Sequence, residues 1–238
     1  MALAQVSVKN HANATKNSYA QYQKRITIQQ VLNARKSAHK PLGLFDFAPI
    51  SDGASALILT SDSVAKKLNK NPIYVLGCTS ATDYLNYPAR EDLSHFISAE
   101  IAMKNASRMA KTTLSDMQIV EVYDQSTMME LVSLEDLGFF KPGTAWKSIY
   151  ESCQNNLHSY EVNGKQLFVN TDGGLKADGN PLGATGGAQI FEVYRQLRGQ
   201  AGERQVKTDN GLPKNGCVLE FEGFGTKAYV SILGDNKN

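Results

Sequence analysis

From about residue 70 to its end the chain alternates short β-branched and aromatic runs with helix-length amphipathic segments, and this alternation limits the folds open to it. Ile73 to Ser80 reads as a strand. Asp92 to Ala110 reads as an amphipathic helix with Phe96, Ile97, Ile101 and Met109 on one face. Gln118 to Tyr123 is a second strand that leads straight into a helix through Leu137, which Gly138 and Pro142-Gly143 close. Gln166 to Asn170 is a third strand and Thr185 to Leu197 a third helix. Two strands, Gly216 to Phe221 and Thr226 to Leu233, finish the chain around Glu222-Gly-Phe-Gly. The order β-α-β-α-β-α-β-β predicts an α/β fold, a mixed β-sheet flanked by helices.

The segment before residue 70 differs. Lys9, His11, Lys16, Lys24, Arg25, Arg35, Lys36, His39 and Lys40 fall in the first 45 residues, with no acidic residue before Asp46. Apolar residues are sparse there until a short helix capped by Thr27. So polar and basic a segment does not build a core alone. It reads either as a solvated arm or as a cover over an anionic ligand. Asp52-Gly53 then marks a turn, Ala54 to Thr60 reads as a buried strand, and Ser61 to Leu68 as a capped helix that Asn71-Pro72 breaks.

Composition excludes several classes. The 238 residues carry 25 Lys+Arg against 23 Asp+Glu, a net +2, so no strong field favours nucleic acid or a membrane surface. No run approaches the roughly 18 apolar residues of a membrane span, and the start lacks the pattern of a signal peptide. Cys78, Cys153 and Cys217 are odd in number and widely spaced, which argues against a disulfide framework or a CxxC metal site and suits a reducing cytoplasm. His11, His39, His95 and His158 have no metal-ligand spacing. Glu121 and Asp124 are an acid pair or, for Asp124, a strand cap.

The most informative segment is Asn170-Thr-Asp-Gly-Gly-Leu-Lys-Ala-Asp-Gly-Asn-Pro-Leu-Gly-Ala-Thr-Gly-Gly-Ala-Gln189, with six Gly in 20 residues between a strand and a helix. Glycines allow close backbone approach, and a helix start aims N–H groups and positive potential at a ligand. The spacing is not that of a phosphate P-loop. Composition alone leaves a tight turn and a ligand loop equally open.

Gly173-Gly-Leu-Lys-Ala-Asp-Gly-Asn-Pro-Leu-Gly-Ala-Thr-Gly186 resembles the G-G-x-x-x-x-G-H-P-x-G-A-T-G signature of thiolases. Val120-Glu-Val-Tyr-Asp-Gln-Ser126 followed by Leu134-Glu-Asp-Leu-Gly-Phe139 resembles the V-E-x-H-D-x-F and L-E-x-L-G-F segments of sterol-carrier-protein-type and archaeal thiolases. Pro49-Ile-Ser-Asp-Gly-Ala-Ser-Ala-Leu57 and Asn17-Ser-Tyr-Ala-Gln21 resemble the family's P-x-S-D-G-A-A-A strand and its N-P-x-A-Q loop. The resemblance implies that residues 1–62 are a loop-region remnant with the last strand and helix of the family's N-terminal half, and that 63–238 are its C-terminal domain. It implies a coenzyme A thioester as substrate and no permanently bound cofactor.

Two departures shape the expected chemistry. The family's acyl-accepting Cys belongs to the part of the pattern this sequence does not match. Cys78 and Cys153 read as structural, and Cys217 lacks the family's C-x-G context. The two His of the family motifs are replaced by Tyr123 and Asn180. Asn does not exchange a proton near neutral pH, and a phenol titrates near pH 10 rather than about 6.5. Losing a nucleophile costs about 10⁶ in rate and losing a general base about 10²–10⁴. The chain is thus expected to be the C-terminal half of a split or truncated acyltransferase. Tyr123, Asp124 and Asn180 would be its catalytic groups, and Gly183, Ala184, Thr185, Gly186, Lys24 and Arg25 its CoA contacts. Expected partners are a subunit carrying the other half or a small OB-fold or zinc-ribbon acyl-CoA-binding protein, within an oligomer. Tyr123 also resembles the tyrosine of thiolase-like retro-aldol lyases acting on β-hydroxyacyl-CoA. A non-catalytic binding or scaffold subunit is the third reading.

Overall fold

A computed structural model describes residues 1–35, 40–68, 71–154 and 159–236. Lys36, His39 and His158 lie outside them. The helices are α1 (Ala2–Ala14), α2 (Ile28–Ala34), α3 (Asp62–Leu68), α4 (Ile97–Ala110), α5 (Thr127–Asp136), α6 (Ala145–Gln154), α7 (Gly174–Ala177) and α8 (Thr185–Leu197). The strands are β1 (Tyr74–Thr82), β2 (Ile119–Val122), β3 (Tyr160–Val162), β4 (Lys165–Val169), β5 (Asn215–Glu222) and β6 (Lys227–Gly234). They form one six-stranded mixed sheet in the order β1-β6-β5-β2-β4-β3. β5, β2 and β4 run parallel, and β1, β6 and β3 are antiparallel to their neighbours.

β2 sits in the middle and is buried at all four residues. Side chains alternate across a strand, and the packing follows. Val120, Val122, Cys217, Leu219, Val230 and Ile232 join the core shared with α4 and α5. Ile119, Val218 and Leu233 join Val193 and Leu197 of α8 on the other face. α8 therefore lies along β5 and β2 with its first turn at the C-terminal ends of both strands, where ligand crevices of open α/β sheets lie.

The structure corrects four expectations. The first part of the basic segment is not a solvated arm, although Lys16, Lys24 and Arg25 beyond it are exposed. α1 is buried along most of its length, with Ala4 and Val6 in the core and Lys9, Asn10 and His11 also buried. Ala54 to Thr60 is not a strand but exposed irregular chain, with Ile58 96% and Leu59 78% accessible. On α4 the buried face is Ser98, Ala99, Ala102, Met103, Ala106 and Ala110, while Ile97, Ile101 and Met109 face outward. Small residues win the inner face because Gly77 of β1 brings the strand against the Ala106 carbonyl, too close for a larger pair. Cys78 stands on the exposed side of β1. Cys153 lies in α6.

Candidate functional site

Tyr123 follows β2 directly and is 5% accessible. Asn180 lies in the Gly-rich loop ahead of α8. The Asn180 Nδ2 donates to the Tyr123 hydroxyl at 3.2 Å. The amide is held in that sense because its Oδ1 accepts from the Thr185 hydroxyl at 2.9 Å and the Leu182 N–H at 3.3 Å. The phenol oxygen is thus an acceptor toward Asn180, and its own proton is left to donate elsewhere. Burial raises the Tyr123 pKa above the ordinary phenol value and the Glu220 and Asp124 charges add to it, outweighing the Asn180 hydrogen bond. At neutral pH Tyr123 is a neutral donor, not a base.

Asp124 does not join them. The alternation that places Tyr123 on one side of the strand end places Asp124 on the other. Its carboxylate accepts from Asn10 Nδ2 at 2.7 Å and from the Leu175 N–H at 2.7 Å. Burial and the Glu130 charge raise its pKa well above the usual range, against the pull of Lys9. The Lys9 ammonium pairs with Glu130 at 3.0 Å with both side chains fully buried, and donates to the Val169 carbonyl at 2.7 Å. Asn10, Asn170 and Tyr160 donate to the same Glu130 carboxylate. Gly174 is obligatory here: its φ is +59°, and a Cβ would lie 2.6 Å from the Asp124 oxygens.

Glu121, the other half of the supposed acid pair, points to the α8 side. It accepts from the Thr171 N–H at 2.9 Å, and the Thr171 hydroxyl, with one proton to give, lies 3.0 Å from both Glu121 and Glu192. Glu192 pairs with Arg204 at 2.8 Å. Beyond this network lies a cavity of about 700 Å³ whose lining includes Asp172, Asp178, Gln189, Glu192 and Arg204. Ala184 and Thr185 reach it, but Tyr123, Asn180, Gly183, Gly186, Lys24 and Arg25 do not line it. Lys24 and Arg25 are exposed, and the Lys24 carbonyl meets His11 Nδ1 at 3.0 Å. Gly183 is open to solvent, while Gly186 lies against Glu220. The structure therefore brings Tyr123, Asn180 and Thr185 together, sets Gly186 beside Glu220, and separates Asp124.

Asp178 gives a pH prediction. Burial, then the Asp172 and Glu192 charges, push its pKa from 3.8 to about 8, against the pull of Arg204. A folded pKa above the unfolded value means that the contribution to stability is complete below about pH 4 and is lost as pH rises through about 8. Asp178→Asn keeps an acceptor for the Asn17 amide, now 2.8 Å away. We expect thermal unfolding at pH 9 to show the variant melting above the wild type, and the two to coincide at pH 4.

Sequence reasoning missed Glu220. It lies one position before the Phe221–Gly225 turn that the motif comparison singled out, and strand period alone places it beside Tyr123: the last β2–β5 pair is Val122 with Leu219. It also missed the polar face of α1 and the turn after it, legible as Asn10 and Asn13 at helical spacing followed by Asn17. Asn13 donates to the Asn170 carbonyl at 2.9 Å and Asn17 to the Asp172 carbonyl at 3.0 Å, fixing the Gly loop from below.

A six-stranded mixed sheet with Tyr123 at the end of β2, and with a Gly loop carrying Asn180 into α8, defines a thiolase-like C-terminal fold. The thiolase C-terminal domain-like family matches residues 79–235, and the chain belongs to that family. It is 40% identical over 232 residues to the acetyl-CoA acetyltransferase of Methanothermobacter thermautotrophicus, covering 97% of this chain and 57% of that protein. It is 33% identical over 214 residues to sterol carrier protein 2 of Gallus gallus, covering 85% of this chain and 37% of that protein. The chain thus spans just over half the length of the archaeal acetyltransferase. Among solved structures, an Ltp2-ChsH2(DUF35) aldolase superposes with a TM-score of 0.81 over 100% of this chain and 59% of that chain at 23% identity, a likeness of fold. Among the described residues no three His, Cys, Asp or Glu side chains are placed to hold a metal ion, and no helix is long and apolar enough to cross a membrane.

Proposed function

We infer that the chain is the thioester-handling half of a thiolase-like acyl-CoA acyltransferase. The observation that carries this is the Tyr123–Asn180 pair: a buried neutral phenol, its oxygen accepting from an amide that two further donors lock in place. A thioester carbonyl placed against the pair receives the phenol proton as a hydrogen bond. That bond strengthens when the carbonyl becomes an enolate or a tetrahedral oxyanion, which is the condition for accelerating the reaction rather than merely binding its substrate. The archaeal relative's name, acetyl-CoA acetyltransferase, supports a CoA thioester as the ligand class. Ala184, Thr185 and the positive end of α8 suit its polar portion, with Lys24 and Arg25 as outer charges for its phosphates.

The acyl-accepting Cys comes, in this reading, from a partner carrying the rest of the acetyltransferase length. Residues 1–62 belong with that half and 63–238 form the C-terminal domain. The exposed apolar run Leu57-Ile58-Leu59 is suited to the contact. We expect light scattering of the wild-type chain to show concentration-dependent association, and Ile58→Glu to weaken it. A stable monomer at high concentration would remove this support.

A second reading, a retro-aldol lyase subunit for β-hydroxyacyl-CoA, is favoured by Tyr123 being a donor where the motif has His. The name of the structural neighbour, an Ltp2-ChsH2(DUF35) aldolase, suggests a partner subunit for it. Calorimetry and two activity assays test these readings. Acetyl-CoA should bind the isolated chain, and acetoacetyl-CoA thiolysis should appear only when a Cys-bearing half is added. Cleavage of a β-hydroxyacyl-CoA without that half would select the lyase. Binding with neither reaction under any pairing would select a scaffold subunit, and no CoA-thioester binding would sink the inference.

A further inference from the structure

Glu220 is a titratable group beside Tyr123 with no side-chain hydrogen bond among the described residues; Glu121, deeper on β2, also leaves its Oε2 unpartnered but spends Oε1 on Thr171. The step after the Val122–Leu219 pair puts Glu220 next to Tyr123 on the adjacent strand. Its side chain lies against the first turn of α8: a Cβ built at Gly186 would touch it at 3.4 Å, an ordinary van der Waals contact. Its Oε2 is buried and has no partner. A half-buried carboxyl with one oxygen unspent, beside an oxyanion donor and a helix start, is costly unless a ligand uses it. Glu222 contrasts with it: two residues on, it is exposed and accepts from the Tyr229 hydroxyl at 2.9 Å.

We propose that Glu220 is the proton-transferring group of the Tyr123–Asn180 site, taking the α-proton of an acyl-CoA thioester held there. The proposal rests on the CoA-thioester reading. In the step, the α C–H bond breaks and the proton goes to a Glu220 oxygen. The C–H electron pair becomes the C=C bond of the enolate, and the carbonyl pair moves to the oxygen, which accepts from Tyr123. Return of a solvent-exchanged proton from Glu220 to the α-carbon restores the thioester. Burial holds the Glu220 pKa up at about 8, where a carboxylate is a far better base than at its ordinary value. The groups facing it are Tyr123 from β2, Tyr229 opposite on β6 with the Lys227 ammonium 4.7 Å from its ring centroid, and Thr185-Gly186-Gly187 of α8.

The test needs no nucleophile and no partner. The full chain is incubated with acetyl-CoA in heavy water, loss of the methyl proton signal is followed by NMR, and binding is measured in parallel by calorimetry. The wild type should exchange the methyl protons above the buffer rate, with the rate rising as pH passes about 8. Glu220→Gln should bind acetyl-CoA as well as wild type and exchange about 10²–10⁴-fold more slowly. Glu220→Asp should retain part of the rate, and Glu222→Gln all of it. Binding without exchange, or wild-type exchange by Glu220→Gln, overturns the proposal alone. No acetyl-CoA binding by the folded wild type overturns the thioester reading and the proposal with it.

Discussion

Lys9→Met should lower stability by about 3–5 kcal/mol, enough to lower the melting temperature by about 10 °C. Methionine fills the volume of the lysine stem, so the loss is not a cavity effect. It removes the only cation shown against Glu130, at 3.0 Å with both side chains at zero accessibility, and the donor to the Val169 carbonyl. Glu130 would keep three donors but lose its charge partner, beside an Asp124 whose pKa burial and then the Glu130 charge already raise. Breaking a buried pair on one side costs more than the pair contributes, because a charge is left behind. The double variant Lys9→Met, Glu130→Met separates the two terms. Urea unfolding should show it clearly less destabilised than the sum of the single changes. A Lys9→Met protein that unfolds at the wild-type midpoint would show that water, not Lys9, neutralises this cluster.

The alternating elements from residue 70 made the sheet and its flanking helices legible, because apolar period distinguishes strands of two-residue repeat from helices of 3.6. α8 ran from Thr185 to Leu197 as read. The signal failed where burial is polar. α1 buries Lys9, Asn10 and Asn13, and the turn after it brings Asn17 toward the Gly loop; a reading keyed to apolar residues takes such a helix for a solvated arm. It failed again where partners are small. Ile97, Ile101 and Met109 are the larger side chains of α4, yet the alanine face turns inward because Gly77 sets the spacing. Ala54 to Thr60 shows the converse. Its apolar run carries the composition of a buried strand, but no neighbour among the described residues pairs with it, and composition cannot report a missing neighbour. At the site, the motif comparison found Tyr123 and Asn180 and paired Tyr123 with Asp124. Strand alternation forbids that pairing and offers Glu220 instead.

Tyr123→Phe should reduce kcat by about 10²–10³ in the complex reconstituted with a Cys-bearing half, with little change in KM. The substitution keeps the ring and its edge-to-face contact with Phe221, 6.3 Å between centroids. It deletes one proton and one acceptor. The acceptor loss leaves the Asn180 Nδ2 without its partner, a cost of about 1–3 kcal/mol in stability that a melting curve reads separately. The proton loss removes the donor to the developing oxyanion and so falls on kcat, since a bond that strengthens only in the transition state does not hold the ground state. Asn180→His replaces the locked amide with a titrating ring in the same loop, and should make the rate depend on pH near the imidazole pKa, about 6.5. A Tyr123→Phe complex that turns over at the wild-type kcat, with its melting temperature lowered, would assign Tyr123 to holding the Gly loop and remove it from the chemistry.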